Sequence, residues 1–277
     1  VRETFHLVAD AAVSLEKELK KTTVSFTAKD GTTFYMQCYV PFHAKERKTA
    51  TAMILPAGKC FPEDYNWISG LLCRRGYLVY ALYQRGYGSG VPEINDNAGP
   101  VQKQDMRDAF HFVLDQPMVD PNRVVVIGHS NGASMMQQLA AEENFACGVA
   151  LSQLSDRLAY ARIAKDFEPG YYKRADKMYD GNPFDHPEGY VERSCLHLAD
   201  KIKTPILAIT GDRDFITPSI WAERMTKALN EAGNTRSEFI AIEDAGHFFE
   251  HYGFHGDQRT EVAEIIVDWI MKMMPAE

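Results

Sequence analysis

Apolar positions along the chain follow two alternating rhythms. Short, β-branched runs recur at Thr51–Leu55, Tyr77–Tyr83, Arg123–Ile127, Cys147–Ser152, Pro205–Thr210 and Ser237–Glu243. Runs this short and this apolar read as strands buried on both faces. Between them lie stretches with helical spacing. These are about Glu63–Arg75, presenting Trp67, Leu71 and Leu72; Val101–Asp115, with Ala109, Phe112 and Val113 inward; the stretch after Ser130 to about Glu143; Pro218–Ala232; and Gln258–Met274, with Val262, Ile265, Ile266, Trp269 and Ile270 inward. Ahead of them, Thr22–Ala28 and Thr32–Val40 alternate around Lys29-Asp30-Gly31, which predicts a β-hairpin ended by Pro41. Phe5, Val8, Ala12, Leu15 and Leu19 predict an amphipathic helix over residues 1–20. About eight strands, the first two in a hairpin and the rest alternating with helices, predict a mostly parallel sheet covered by helices on both faces.

The rhythm breaks once. Residues 153–200 contain no clear strand and are rich in tyrosine, proline and charge. A structureless loop of that length is uncommon inside a compact domain. The stretch is therefore expected to be a short helical, cap-like insertion over the C-terminal edge of the sheet, within a single domain spanning 1–277.

Composition narrows the class. Of 277 residues, 45% are hydrophobic and 25% charged, as in ordinary globular domains, and the formal net charge is −8. No basic stripe points to nucleic acid, and no run approaches the length of a membrane span. Five scattered cysteines (Cys38, Cys60, Cys73, Cys147, Cys195) form no C-x-x-C pair. Cys38, Cys73 and Cys147 sit in apolar patterns and read as core. The chain shows neither an initiator Met nor a signal-peptide pattern, so a processed exported protein and a cytoplasmic one are equally compatible, and the oligomeric state is open.

One junction carries a chemical signature. Val124–Ile127 runs into Gly128-His129-Ser130-Asn131-Gly132, and a helix begins there. Gly-x-Ser-x-Gly between strand and helix is the nucleophile elbow, whose tight turn lifts the serine above the sheet edge. A Cβ at either glycine would collide with the neighbouring strand or helix. The helix start also offers unpaired N–H groups and the positive end of a dipole.

A serine hydroxyl needs a base in hydrogen-bond reach, and the base needs an orienting carboxylate. Both belong at later strand ends. The strand Pro205–Thr210 is followed by Gly211-Asp212-Arg213-Asp214, and Asp214, in the loop proper, is favoured over Asp212. The strand Ser237–Glu243 is followed by Asp244-Ala245-Gly246-His247, which makes His247 the expected base. His251 and His255 have the spacing of metal ligands on a helix, but Gly253 and Gly256 argue for a loop, and no metal is expected. The oxyanion donors are expected to be the backbone N–H of Asn131 and one from residues 57–60, with Gly58 first and Lys59 the alternative. Gln84-Arg85-Gly86-Tyr87-Gly88-Ser89-Gly90 lacks the lysine and following helix of a phosphate-binding loop.

These motifs occur in the order of the α/β-hydrolases. Asp120-Pro121-Asn122-Arg123, Arg85-Gly86-x-Gly88, Arg193-Ser194 and Ala199-Asp200-Lys201-Ile202-Lys203-Thr204-Pro205 more closely resemble the catalytic domain of prolyl oligopeptidase-type enzymes, over roughly Thr22 to Ile270. The resemblance implies an α/β-hydrolase fold and a Ser130-His247-Asp214 triad working without a cofactor. Two departures stand out. Pro56-Ala57-Gly58 replaces the family's His-Gly-Gly, and only about twenty residues precede the hairpin, where the peptidases carry a β-propeller. Without that gate the pocket is expected to be open to esters and small amides, and stand-alone members of this kind are similar to carboxylesterases, including acetyl and feruloyl esterases. The expectation is a serine hydrolase of small-molecule carboxylic esters. The alternatives are a small-peptide or amide hydrolase, an acyl-CoA thioesterase and a non-catalytic binding module. Phe61, Trp67 and the tyrosines of the insertion are candidates to stack on an aromatic acyl group, or else simply pack.

Overall fold

The computed structural model describes residues 20–45, 47–86, 97–179, 181–250 and 257–275. Of the helix expected over 1–20, all but Lys20 lies outside the described residues, as do His251, His255 and Tyr87–Gly90. Lys20 itself opens the first strand.

Among the described residues eight strands form one sheet in the order β1-β2-β4-β3-β5-β6-β7-β8. They are β1 (Lys20–Thr27), β2 (Thr33–Val40), β3 (Thr49–Leu55), β4 (Leu78–Leu82), β5 (Val119–His129), β6 (Cys147–Leu151), β7 (Ile206–Gly211) and β8 (Glu238–Ile242). β1 and β2 form the expected antiparallel hairpin, β2 pairs antiparallel with β4, and the remaining neighbours are parallel. The helices are α1 (Asn66–Arg74), α2 (Pro100–Leu114), α3 (Asn131–Ala140), α4 (Arg157–Phe167), α5 (Pro169–Met178), α6 (Glu188–Glu192), α7 (Ile220–Glu231) and α8 (Arg259–Met273).

The alternation of a strand divides its side chains between two cores. Met53, Leu55, Val124 and Val126 point to a layer with α2, α3 and α7, filled by Phe110, Met136 and Leu229. Ala52, Ile54, Val125 and Ile127 point the other way, to Ile68, Leu72, Ile266 and Ile270 of α1 and α8. Parallel strands buried on both faces have to be apolar at every position, and β3, β4, β6 and β7 are buried throughout. Cys38, Cys73, Cys147 and Cys195 are buried, and all five cysteines are free.

Two boundaries differ from the sequence expectation. β5 begins at Val119, ahead of Pro121. Thr49 and Thr51 of β3 face Val119 and Val124 of β5, so an irregularity in the pairing holds the proline where no ladder donor is needed. The helix expected from Glu63 starts as a 3₁₀ turn, Pro62–Tyr65, before α1. The stretch from Gln153 to Asp200 holds α4, α5, α6 and a 3₁₀ turn, Leu196–Leu198, and no strand among its described residues.

Candidate active site

Every expected site residue, those of the early loop after β3 included, lies just past a parallel strand. Ser130 follows β5 in a left-handed, strained conformation, φ 53° and ψ −110°. The turn is that tight because α3 lies directly on the strand ends. A Cβ on Gly128 would run into the Gly132 carbonyl, and one on Gly132 into the Leu55 carbonyl. The Ser130 amide is anchored to Leu151 O at the end of β6, 2.8 Å away.

Asp214 sits in the turn after β7, buried, with Oδ2 2.8 Å from His247 Nδ1. Its other oxygen, Oδ1, accepts from the amides of Ile216 and Thr217 at 2.9 and 2.8 Å. The turn geometry and the pairing thus use different oxygens. Thr217 Oγ1 lies 2.8 Å from Asp214 Oδ2, 3.1 Å from His247 Nδ1 and 2.8 Å from Ser152 O, tying the pair to the end of β6. Burial pushes the Asp214 carboxyl up, but the bond to His247 and the Thr217 donors outweigh it and leave the group below the ordinary carboxylate range. Asp212 is exposed and pairs with Arg213, so it takes no part.

His247 occupies a loop bracketed by two left-handed residues, Asp244 (φ 54°) and Phe249 (φ 57°). The loop rests on Gly211, where a Cβ would overlap the Ala245 carbonyl. Its backbone carbonyl is held twice, by Ser152 Oγ at 2.9 Å and by His129 Nε2 at 2.8 Å. A carbonyl only accepts, so His129 carries its proton on Nε2 and accepts at Nδ1 from the Tyr65 hydroxyl, 2.7 Å away. Tyr65 in turn accepts from the Ala57 amide at 2.8 Å. One chain of hydrogen bonds therefore runs from the early loop through the elbow to the loop of the expected base. Full burial, reinforced by the neighbouring His247, lowers the His129 pKa to about 3, so it stays neutral.

The His247 ring centroid lies 5.2 Å from that of His129, the residue before Ser130. Among the described residues no hydrogen bond joins Ser130 Oγ to His247. Such bonds commonly tighten only in the substrate complex.

The early loop can now be read amide by amide. Ala57 N is committed to Tyr65, and Cys60 N to Ala57 O at 3.1 Å. Among the described residues Gly58 N and Lys59 N donate to nothing, and neither does Asn131 N at the start of α3. Lys59 is held left-handed at φ 66°. A cleft of about 240 Å³ opens between this loop and Phe248, with Tyr65, Trp67 and His129 in its wall. Cys60 also lines it, and burial pushes its thiol up to about 11, so it is a thiol at neutral pH. No cluster of potential metal ligands occurs among the described residues.

Thr217, Ser152 and Tyr65 are absent from the sequence-based site, and His129 enters it only as a letter of the elbow motif. Thr217 had one available signal, its position three residues after Asp214, where a side-chain-capped turn places its donors.

Comparison with known proteins places the chain in a family. The family model described as the prolyl oligopeptidase family matches residues 63–276. An uncharacterized peptidase of Bacillus subtilis is 27% identical over 205 residues, covering 72% of this chain and 30% of its own length. A dipeptidyl aminopeptidase of Pseudoxanthomonas mexicana is 26% identical, covering 67% of this chain and 28% of its own. The chain thus spans under a third of the length of these two relatives. Among solved structures, the acylaminoacyl peptidase of Pyrococcus horikoshii superposes with a TM-score of 0.77 at 16% identity, over 96% of this chain and 44% of that one. The eight-stranded sheet has the α/β-hydrolase topology of such neighbours, and the chain belongs to the prolyl oligopeptidase family of serine hydrolases.

Proposed function

We propose that this chain hydrolyses amide bonds of short or N-acylated peptides through an acyl-enzyme, with Ser130 as nucleophile, His247 as base and Asp214 as the group that orients it. The observation that carries the reading is the buried 2.8 Å pair of His247 Nδ1 and Asp214 Oδ2 beside an elbow serine. Because Nδ1 faces the carboxylate, Nε2 is the nitrogen left to take a proton. Ser130 Oγ attacks the carbonyl carbon, its proton passes to His247, and the carbonyl electron pair moves onto oxygen. Asn131 N and Gly58 N, with Lys59 N as the alternative, receive that oxyanion. His247 then protonates the departing nitrogen, and water repeats the sequence on the acyl-enzyme. All the chemistry is supplied by side chains and amides, so no cofactor is invoked.

The preference for amides over the esters expected from sequence rests on the relatives, which are named as peptidases. A second reading, ester hydrolysis, is favoured by an esterase of Pyrococcus furiosus. It superposes with a TM-score of 0.68 at 20% identity over 94% of this chain and 95% of its own. The two readings share one machinery and differ in the leaving group.

A substrate panel separates them. Aminoacyl and acyl-aminoacyl p-nitroanilides are expected to turn over and to lose about 10⁶-fold in kcat in Ser130→Ala. Turnover confined to acetyl, long-chain or hydroxycinnamoyl esters would replace the amide reading, and a preference for acyl-CoA would replace both. Failure of a fluorophosphonate to label Ser130 in the wild-type protein would mark a binding module.

A further inference from the structure

Arg157 breaks three local rules at once. It is buried, yet none of its hydrogen-bond partners is a carboxylate. Nη2 donates to Asn131 Oδ1 at 2.7 Å and lies 3.4 Å from Ser134 Oγ; Nη1 lies 3.3 Å from the Tyr179 hydroxyl, and Nε donates to Arg193 O at 3.0 Å. Every partner oxygen is neutral, and among the described residues no ion pair involves Arg157. The adjacent acid, Asp156, is turned away to cap its own helix at Ala159 N, 2.9 Å. Arg157 is also the first residue of α4, where a cation opposes the helix dipole. A buried, unneutralised charge at the wrong helix end costs stability. Departures from local preference of this kind gather at functional sites.

Its strongest contact shows where the charge is directed. Asn131 follows Ser130 and is the first residue of α3, so its amide and its side chain leave the same short turn. The guanidinium grips the side chain; the amide, at which the oxyanion is expected, donates to nothing among the described residues.

We propose that Arg157 is the positioning residue of the oxyanion site. It fixes Asn131 so that the amide faces the reacting carbonyl, and its uncompensated charge stabilises the negative oxygen that develops there without touching it. In a low-dielectric interior such a charge acts over several ångströms, and only while the oxygen is anionic. The inference rests on the serine-hydrolase reading above.

The test uses Arg157→Met and Arg157→Lys in the full chain, with Ser130→Ala in parallel. Two reversible ligands of the same skeleton are compared. One is a trifluoromethyl ketone, which adds Ser130 to form an anionic hemiketal, and the other is the methyl ketone, which stays neutral. In Arg157→Met, kcat and trifluoromethyl-ketone affinity are expected to fall together by about 10- to 100-fold. KM and methyl-ketone affinity stay put, and Arg157→Lys recovers part of the loss. Unchanged kcat and trifluoromethyl-ketone affinity in folded Arg157→Met would overturn the proposal. So would a raised KM at constant kcat, which would instead mean an anionic group on the substrate. If Arg157→Met does not fold, Asn131→Ala, which removes the gripped oxygen but keeps the amide, is expected to reproduce the loss selective for the anionic ligand, and an equal loss for both ligands would overturn it. If Ser130→Ala keeps wild-type turnover, the hydrolase reading itself fails, independently of Arg157.

Discussion

Asp214 closes a turn with one oxygen and pairs with His247 through the other, the contact by which it orients the base in the proposed mechanism, and the two duties have separable consequences. Asp214→Asn keeps the turn acceptor Oδ1 but presents His247 with the wrong tautomer. Its kcat is expected to fall about 10⁴-fold, read in single-turnover assays of the panel substrates. The sign of its pH effect follows from its depressed pKa. The unfolded chain binds this proton more tightly than the folded one, so the stabilisation is complete above the ordinary carboxylate pKa of about 3.9 and is lost as pH falls through the lower folded value. Urea midpoints followed from pH 6 to pH 2 should fall less steeply in Asp214→Asn than in the wild type. Tyr65→Phe strips the hydroxyl that serves both Ala57 N and His129 Nδ1. The two orphaned groups are expected to cost about 1–3 kcal/mol of stability, with a loss of kcat that exceeds any change in KM.

At the scale of elements, the elbow is a contact between backbones rather than side chains. Gly132→Ala would force α3 away from the end of β3. A loss of at least about 3 kcal/mol in urea denaturation is expected, together with loss of fluorophosphonate labelling. A second junction is electrostatic. Arg85, just after β4, forks onto Asp105 of α2 at 2.6 and 2.8 Å and reaches Asp30 of the hairpin at 2.6 Å. Asp105→Ala leaves a buried guanidinium half-paired and is expected to cost about 3 kcal/mol, measured as a shift of the urea midpoint. These elements were legible in the sequence because strands buried on both faces leave unbroken β-branched runs between helices of 3.6-residue period. Val119–Asn122 was not, because Pro121 reads locally as a breaker and only its pairing with β3 makes it strand. The strand-end positions of Ser130, Asp214 and His247, and the pairing of the last two, were legible because strand-end motifs announce them. Tyr65, His129 and Arg157 meet partners 64, 118 and 26 residues away. No local pattern encodes such meetings; topology alone creates them.

Across the whole molecule, the parallel strand ends collect every expected group on one rim. Chain order mattered more to that reading than motif identity, since an acid and a histidine had to follow the serine at successive strand ends. The expected ester preference has another origin. It rests on what precedes the hairpin, and the proposed amide reading is preferred to it on the strength of relatives whose lengths this chain spans only in part. The double grip on the His247 carbonyl has one more consequence, for how the protein fails on heating. Ser152 stands at the end of β6 and His129 on β5, both in the middle of the sheet, so the imidazole has no private hinge and turns only about its own side-chain bonds. Thermal inactivation should therefore coincide with melting of the central strands, with residual turnover and far-ultraviolet dichroism falling on a single curve.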